Sequence, residues 1–390
     1  MNKLIISYIN TSVGFWLVSF LVPLIILDMS NSAFMVTLSY AMNIIPYILI
    51  TPFAGVLCDI YNRKYMIMVG ELLCSATSLF LFILLFYSPS VHMVLFLGVV
   101  ISSLSAIHHP VFQSIIPDVK GKDKIKYLNA QIGMVDSLVS IIAPAILGVF
   151  LLGLSRQNIL LVVVFCYLFS FITMLTVEYV KTTQTIALSV KNIMHSLWEG
   201  FVYVYNKKQL LSIACLFFFI NIGIRVVFPN LLWIYSKVFY LAADEIALLF
   251  VVIGTGSIIG ARIGASVIGR YSDLKIIMVS SFIIGLCSLM LIFATNALIH
   301  ASFWAISSLV QSVIIVTFFT YRQKVTESFI LGRVVSVTRL IAYMAIPLAS
   351  VASGWILNHT ASVNYIYVIS GVCIFIALAF FAIVSRPYSK

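Results

Sequence analysis

Long apolar runs alternate with short polar breaks along the chain, and each run is the length of a membrane-crossing helix, which takes about 20 mostly apolar residues. Six runs fill the first half: 4–27, 33–57, 65–87, 91–112, 127–153 and 159–178. Six fill the second: 210–235, 245–267, 275–295, 297–319, 334–357 and 363–385. The breaks at 87–91 and 295–297 are the shortest, and the stretch 179–209 is the longest. The pattern predicts an all-α polytopic membrane protein. Its twelve transmembrane helices form two six-helix bundles, 1–178 and 210–390, joined by a cytoplasmic linker over 179–209. Within the linker, Ile193, Leu197 and Phe201 recur at helical spacing. They mark either an amphipathic helix lying on the membrane face or a plain connector. The first run follows Met1–Lys3 directly, is too long for a signal-peptide core and lacks a small-residue cleavage site, so it reads as a retained helix.

Composition supports a lipid setting. Of 390 residues, 62% are hydrophobic and 9% charged, where soluble domains carry about 25%. Mean hydropathy is +1.14. No stretch is polar enough to form a separate soluble domain.

The net charge of +11 would suit a nucleic-acid binder, but its placement gives a different reading. Loops on one side hold Lys3, Arg63, Lys64, Lys120, Lys122, Lys124, Lys126, Lys181, Lys191, Lys207, Lys208, Arg270, Lys275, Arg322, Lys324, Arg333, Arg386 and Lys390, which is 18 of the 23 basic residues. The other side holds Arg156 and Lys237, and Arg225, Arg262 and Arg339 fall within spans. Basic loops mark the cytoplasmic side. This places both termini in the cytoplasm of a cell inner or plasma membrane, with the lipid bilayer as partner and no nucleic acid. The six cysteines lie in or beside apolar runs without a CxxC pair, so neither a disulfide framework nor a zinc site is indicated.

The sharpest local signal follows the second run: Gly55-Val-Leu-Cys-Asp59-Ile-Tyr-Asn-Arg63-Lys64. It resembles the signature loop of the major facilitator superfamily, with Asn62 where a second glycine is usual. Glu71, the stretch from His109-Pro110 to Ile116-Pro117, and Asn129-Ala130 resemble the macrolide-efflux and siderophore-export branch. So does Leu331-Gly332-Arg333-Val334, followed by Pro347 and Gly354. Pro144 and Gly148 partly match the proline–glycine motif of drug antiporters, and Gly264 to Arg270 repeats the signature without its acid.

The resemblance covers essentially the whole chain. It implies a secondary transporter working by alternating access: proton-coupled efflux of a small amphiphilic molecule, drug-like or siderophore-like, without a cofactor and as a monomer. An importer or lysophospholipid flippase of the same superfamily is the alternative within transport; a membrane-embedded receptor or enzyme is the alternative outside it. An enzyme would show a nucleophile with a base or clustered metal ligands, and neither is evident. Nor is a phosphate-binding Gly-x4-Gly-Lys-Ser/Thr loop. In the resembled fold, Asp59 would latch the bundles by docking near the start of span 11, with Arg333 as ionic partner. The alternative is that Asp59, Arg63 and Lys64 only set topology.

Five ionisable residues fall within spans: Glu71, Asp136, Arg225, Arg262 and Arg339. Each costs roughly 2.5–3.5 kcal/mol near the bilayer centre, so such residues pair or face water. The resemblance makes spans 1, 4, 7 and 10 cavity-lining and 2, 5, 8 and 11 interfacial, which marks Asp136, Arg225 and Arg339 as cavity candidates. Asp136 reads as a proton carrier or a permanent salt bridge. Arg225 reads as an anion binder or the partner of Asp136. Glu71 and Arg262 lie nearer the edges, where a structural role weighs against proton coupling by Glu71. His108 and His109 are a further protonatable pair, with His109 a coupling candidate and helix packing the alternative.

Trp16, Tyr40, Phe112, Phe228, Trp233 and Tyr321 are candidate aromatic cavity walls, although with 29 phenylalanines in the chain a lipid-facing or core position is the default for any one. Gly256, Gly260 and Gly264, spaced by four, form a smooth stripe that admits a close neighbour. The expected neighbour is span 5, near Pro144 and Gly148. Paired prolines, Pro23 with Pro229 and Pro144 with Pro347, suggest a duplicated architecture.

Overall fold

A computed structural model describes residues 3–120, 146–179, 190–267, 269–327, 330–360 and 362–385, with positions 135, 139, 142 and 143. There is no strand among the described residues. In hydrocarbon every backbone amide must be satisfied within the chain, and a helix does this locally. Eleven described helices are long and apolar enough to span a bilayer. The twelfth expected span, 127–153, lies mostly outside the described residues, although 146–151 is helical. The chain divides into two compact units, Met1–Ser30 with Met42–Ile193 and Asn31–Ala41 with Met194–Lys390.

In the first unit, helices α1 (Lys3–Ser30) and α3 (Arg63–Leu84) each pack against α4 (Val91–Lys120) and α5 (Arg156–Leu175). In chain order α2 (Ala33–Ile60) lies between α1 and α3, and its first turns belong to the other unit. Asn62, at the variant position of the signature loop, has φ −72° and no left-handed backbone. It caps α3, its side-chain oxygen accepting from the Tyr65 amide at 3.2 Å. The end of α5 is held by two lysines. Lys64 Nζ donates to the carbonyls of Leu175 (3.1 Å) and Val177 (2.8 Å), and Lys3 Nζ donates to that of Thr176 (3.1 Å). Cations there satisfy orphan carbonyls and suit the negative end of the helix. At the opposite end of α5, Arg156 pairs with Asp28 of α1. Phe112, a candidate cavity aromatic, takes the default core position, fully buried and edge-on to Tyr8 at 5.1 Å.

The second unit includes α6 (Val190–Asn206) from Met194 onward, a helix being one of the two readings of the linker. Its Val204 packs with Leu210, Ile330, Val334 and Val337, and Leu197 lies against them. Met194, Trp198, Phe201 and Tyr205 stay exposed, the three rings stacked in a row at 5.8 and 6.4 Å. Next come α7 (Lys208–Val227) and α8 (Leu231–Lys237), separated by a 3-10 turn over Phe228–Asn230. Pro229 cannot donate an amide, and the turn breaks the helix there. Asn230 restores polar pairing at the break, its Nδ2 donating to the Val226 carbonyl at 2.9 Å and to Ser353 Oγ at 2.8 Å.

Helices α9 (Ala243–Val267), α10 (Asp273–Met290), α11 (Ala297–Val325), α12 (Leu331–Thr360) and α13 (Asn364–Ser385) complete the unit. Helix α7 packs on α12 and α13, and α9 and α10 pack on α11. The glycine stripe of α9 faces α11, not span 5. A Cβ at Gly256 or Gly260 would overlap the backbone of Ala305 or Leu309, and one at Gly264 would lie 3.3 Å from Val313 Cα. This corrects the expected neighbour: the stripe fixed that a backbone comes close, and the residues of α11 decide whose.

Candidate functional site

Four helices of the first unit converge on one carboxyl group. Glu71 on α3 is fully buried, as are Ser7 and Thr11, one turn apart on α1, Ser170 on α5 and His108 on α4. Thr11 Oγ1 donates to Glu71 Oε1, and Ser170 Oγ donates to the same oxygen at 2.9 Å. Ser170 Oγ also lies 2.7 Å from Ser7 Oγ and 2.9 Å from Thr11 Oγ1, closing a hydroxyl cluster on one side of the carboxylate.

The other side differs. Among the described residues Glu71 Oε2 has no hydrogen-bond partner, and neither has either ring nitrogen of His108, whose Nδ1 is 4.0 Å from Oε1. His108 fits there because residue 70 is glycine: a Cβ on Gly70 would come within 2.5 Å of His108 Nε2. One turn along, Cys74, Ser105 and Tyr167 form a second polar layer, with Ser105 Oγ 3.7 Å from Cys74 Sγ and 3.1 Å from the Tyr167 hydroxyl.

A buried charge is costly unless paired. Among the described residues Glu71 has no lysine or arginine beside it, and the only basic group within reach is His108. Chemically, the arrangement can hold and release one proton, at Glu71 Oε2 or on the imidazole. Histidine gains and loses protons in the physiological range more readily than any other unperturbed side chain. Glu71 is therefore the proton-coupling candidate that the structure surrounds with a polar site. Asp136 lies outside the described residues, and His109 is on α4 with its side chain outside them.

In the second unit, Arg225 of α7 donates from Nη1 to the Tyr40 hydroxyl at 2.7 Å. Its guanidinium lies over the rings of Tyr40 (5.7 Å) and Phe228 (5.1 Å). Phe228 in turn meets Trp304 at 5.9 Å. Arg339 lies over Tyr343 at 6.0 Å, and buried Arg322 donates to Thr338 Oγ1 at 3.0 Å. Trp16 and Trp233 are half-buried, Trp16 beside Phe15 and Phe20. Arg262 is exposed on α9.

Of the signature residues, Gly55 and Asp59 lie on α2 with their side chains outside the described set, and Pro144 lies outside it too. Gly148 is buried. Arg333, the expected partner of Asp59, is paired with Glu199 of α6, and Glu199 also lies 3.3 Å from His195.

The sequence reading missed Ser7, Thr11 and Ser170, and paired His108 with His109 instead of Glu71. It also missed a buried His300 that links the Tyr235 (3.1 Å) and Tyr367 (2.9 Å) hydroxyls. The available signal was the polar spacing Ser7–Thr11 and Glu71–Ser75–Ser78 along otherwise apolar helices.

Comparisons with known proteins agree with this architecture. The chain is 22% identical over 361 residues to Macrolide efflux protein A of Streptococcus pyogenes, covering 89% of this chain and 86% of that protein. It is 23% identical over 332 residues to the protein of that name from Enterococcus faecalis, covering 82% and 99%. Among solved structures, a bacterial homologue of the human lysosomal transporter Spinster, inward-facing and unoccupied, aligns with TM-score 0.76 at 15% identity over 98% of this chain and 96% of that one. The nucleoside transporter NupG aligns with TM-score 0.76 at 11% identity over 99% and 100%. The Major Facilitator Superfamily profile matches residues 4–347. The chain is a multi-pass membrane protein and belongs to the major facilitator superfamily.

Proposed function

We propose that the protein is a proton-driven exporter of a small amphiphilic molecule, with Glu71 as the proton-binding group and both termini in the cytoplasm. The observation that carries the coupling is the fully buried Glu71 carboxyl, with hydroxyl donors on one oxygen and none on the other. A purely structural carboxylate would be expected to have both oxygens bonded. The macrolide-efflux relatives support export, and the basic loops support the orientation.

The energetics are sufficient. One proton moving down one pH unit and 100 mV releases about 3.7 kcal/mol. A hundredfold gradient of a neutral solute stores about 2.7 kcal/mol. One proton per neutral molecule is therefore enough.

The test uses inverted membrane vesicles carrying the full chain, an imposed pH gradient and a panel of radiolabelled neutral, anionic and cationic amphiphiles. Uptake that follows the gradient and stops with a protonophore is expected. Uptake that requires ATP and ignores the gradient would reject the scheme.

A further inference from the structure

We infer that the second unit holds an anion-recognition site, built from Arg225, Tyr40, Phe228 and Trp304, that selects amphiphiles with a negatively charged head and a flat apolar body. The inference rests on the transporter reading but assigns the chemistry of the molecule carried.

Three observations converge. First, Arg225 is a guanidinium well inside a span, and among the described residues no carboxylate lies within ion-pair distance of it. Its contacts are the Tyr40 hydroxyl and two aromatic faces, none of which neutralises its charge. Such a cation is costly in a membrane unless something balances it.

Second, two buried donors in this cluster are unspent. Among the described residues Arg225 Nε has no hydrogen-bond partner, and neither has the indole Nε1 of Trp304, a residue only 4% exposed. Phe228 touches both residues, so the two orphan donors flank one ring. Buried donors are almost always satisfied, and those that are not point to a missing acceptor.

Third, one edge of the cluster is open, although the two orphan donors themselves are buried. Arg225 and Phe228 are half-buried, and Asn221, one turn before Arg225 on the same face of α7, is half-buried as well. A face carrying Asn221 and Arg225 is unsuited to lipid contact.

The chemistry follows from the parts. Guanidinium binds carboxylate, sulfonate or phosphate by charge-assisted hydrogen bonds. Tyr40 holds the guanidinium in place by one nitrogen and leaves Nε for the ligand. The rings of Phe228 and Trp304 offer an apolar surface for a flat body. The same guanidinium repels an amine, so cationic amphiphiles are disfavoured at this position.

The experiment measures equilibrium binding of 2-naphthoate, 2-naphthylmethanol and 2-naphthylmethylammonium to the purified full-length protein in nanodiscs of neutral lipid, by calorimetry. The three probes share one ring system and differ in charge. Naphthoate is expected to bind tightest and the ammonium weakest. Arg225→Gln is expected to weaken naphthoate by about tenfold or more while leaving the alcohol unchanged. Trp304→Phe keeps a ring and removes the donor, and should weaken naphthoate by a smaller factor. Arg225→Lys keeps the charge and should retain part of the preference, so it reports on the site even if the glutamine variant folds poorly.

The inference is overturned if naphthoate fails to bind, if the alcohol binds as tightly, if all three probes weaken alike in Arg225→Gln, or if both Arg225→Lys and Trp304→Phe leave the preference untouched. No pH gradient is present, so a failure of proton coupling does not affect the result.

Discussion

Replacing Glu71 with glutamine separates the proton from the polar cluster around it. Thr11 and Ser170 both donate to one oxygen of Glu71, and glutamine keeps an oxygen for them. The new amide takes the place of an oxygen that has no partner in the wild type. Stability should therefore change by no more than about 1 kcal/mol. Glu71→Ala is also tolerable as far as hydrogen bonding goes, because both hydroxyls have a second acceptor in the Ser7 carbonyl, at 3.2 Å from Thr11 and 3.1 Å from Ser170. Its cost is the cavity, about 2–3 kcal/mol for a side chain of this size.

Transport should respond very differently. With about 3.7 kcal/mol per proton, a one-to-one exchanger can hold a neutral solute gradient of about 500-fold. Without a titratable group it holds none, yet it can still swap labelled for unlabelled solute across the membrane. The assay is thus paired: gradient-driven accumulation and equilibrium exchange in the same proteoliposomes. Glu71→Gln is expected to abolish the first and keep the second. Accumulation at the wild-type level in Glu71→Gln would refute the assignment, and loss of both activities with an unchanged melting temperature would show that Glu71 does not act as a separable proton site.

Further outcomes follow from the packing. Gly260→Leu drives a side chain into the Leu309 backbone, and overpacking of this kind costs about 1–3 kcal/mol or more, so fluorescence-detected size exclusion should show a loss of folded protein. Asn230→Ala removes two hydrogen bonds at a buried helix break and should lower stability by about 2–3 kcal/mol in a thermal unfolding assay, with Asn230→Asp no milder, since a carboxylate cannot donate to the Val226 carbonyl and would bury a charge. Arg333→Ala removes an ion pair whose members are 42% and 38% exposed, so the melting temperature should shift by no more than about 1 kcal/mol allows. A large drop there would mean that Arg333 supports more than Glu199.

The helices were legible because hydrocarbon imposes one secondary structure, and apolar length reports it directly. The break at Pro229 was visible as a proline, but its repair by Asn230 and Ser353 was not, since the partner lies 123 residues away. The glycine stripe of α9 shows the same limit. Spacing by four places Gly256, Gly260 and Gly264 on one face, but it carries no address, and the face turned out to meet α11.

The Glu71 cluster depends on four helices arriving at one depth. The sequence showed the acid in one span and the hydroxyls of Ser7, Thr11 and Ser170 on two others. Only packing brings Thr11, Ser170 and His108 to the same carboxyl. Gly70 clears the space for His108, a role that only the packing of α3 on α4 reveals. Arg333 was read against Asp59, whose side chain lies outside the described residues, and the pair it makes with Glu199 of α6 was not legible in the sequence.

The coupling claim is tested most directly by proton movement itself. In proteoliposomes loaded with a pH-sensitive dye and holding no initial pH gradient, an imposed outward gradient of a transported neutral amphiphile should drive protons inward in the wild type, with no proton flux in Glu71→Gln. Solute flux at normal speed with no change in internal pH in the wild type would contradict the account.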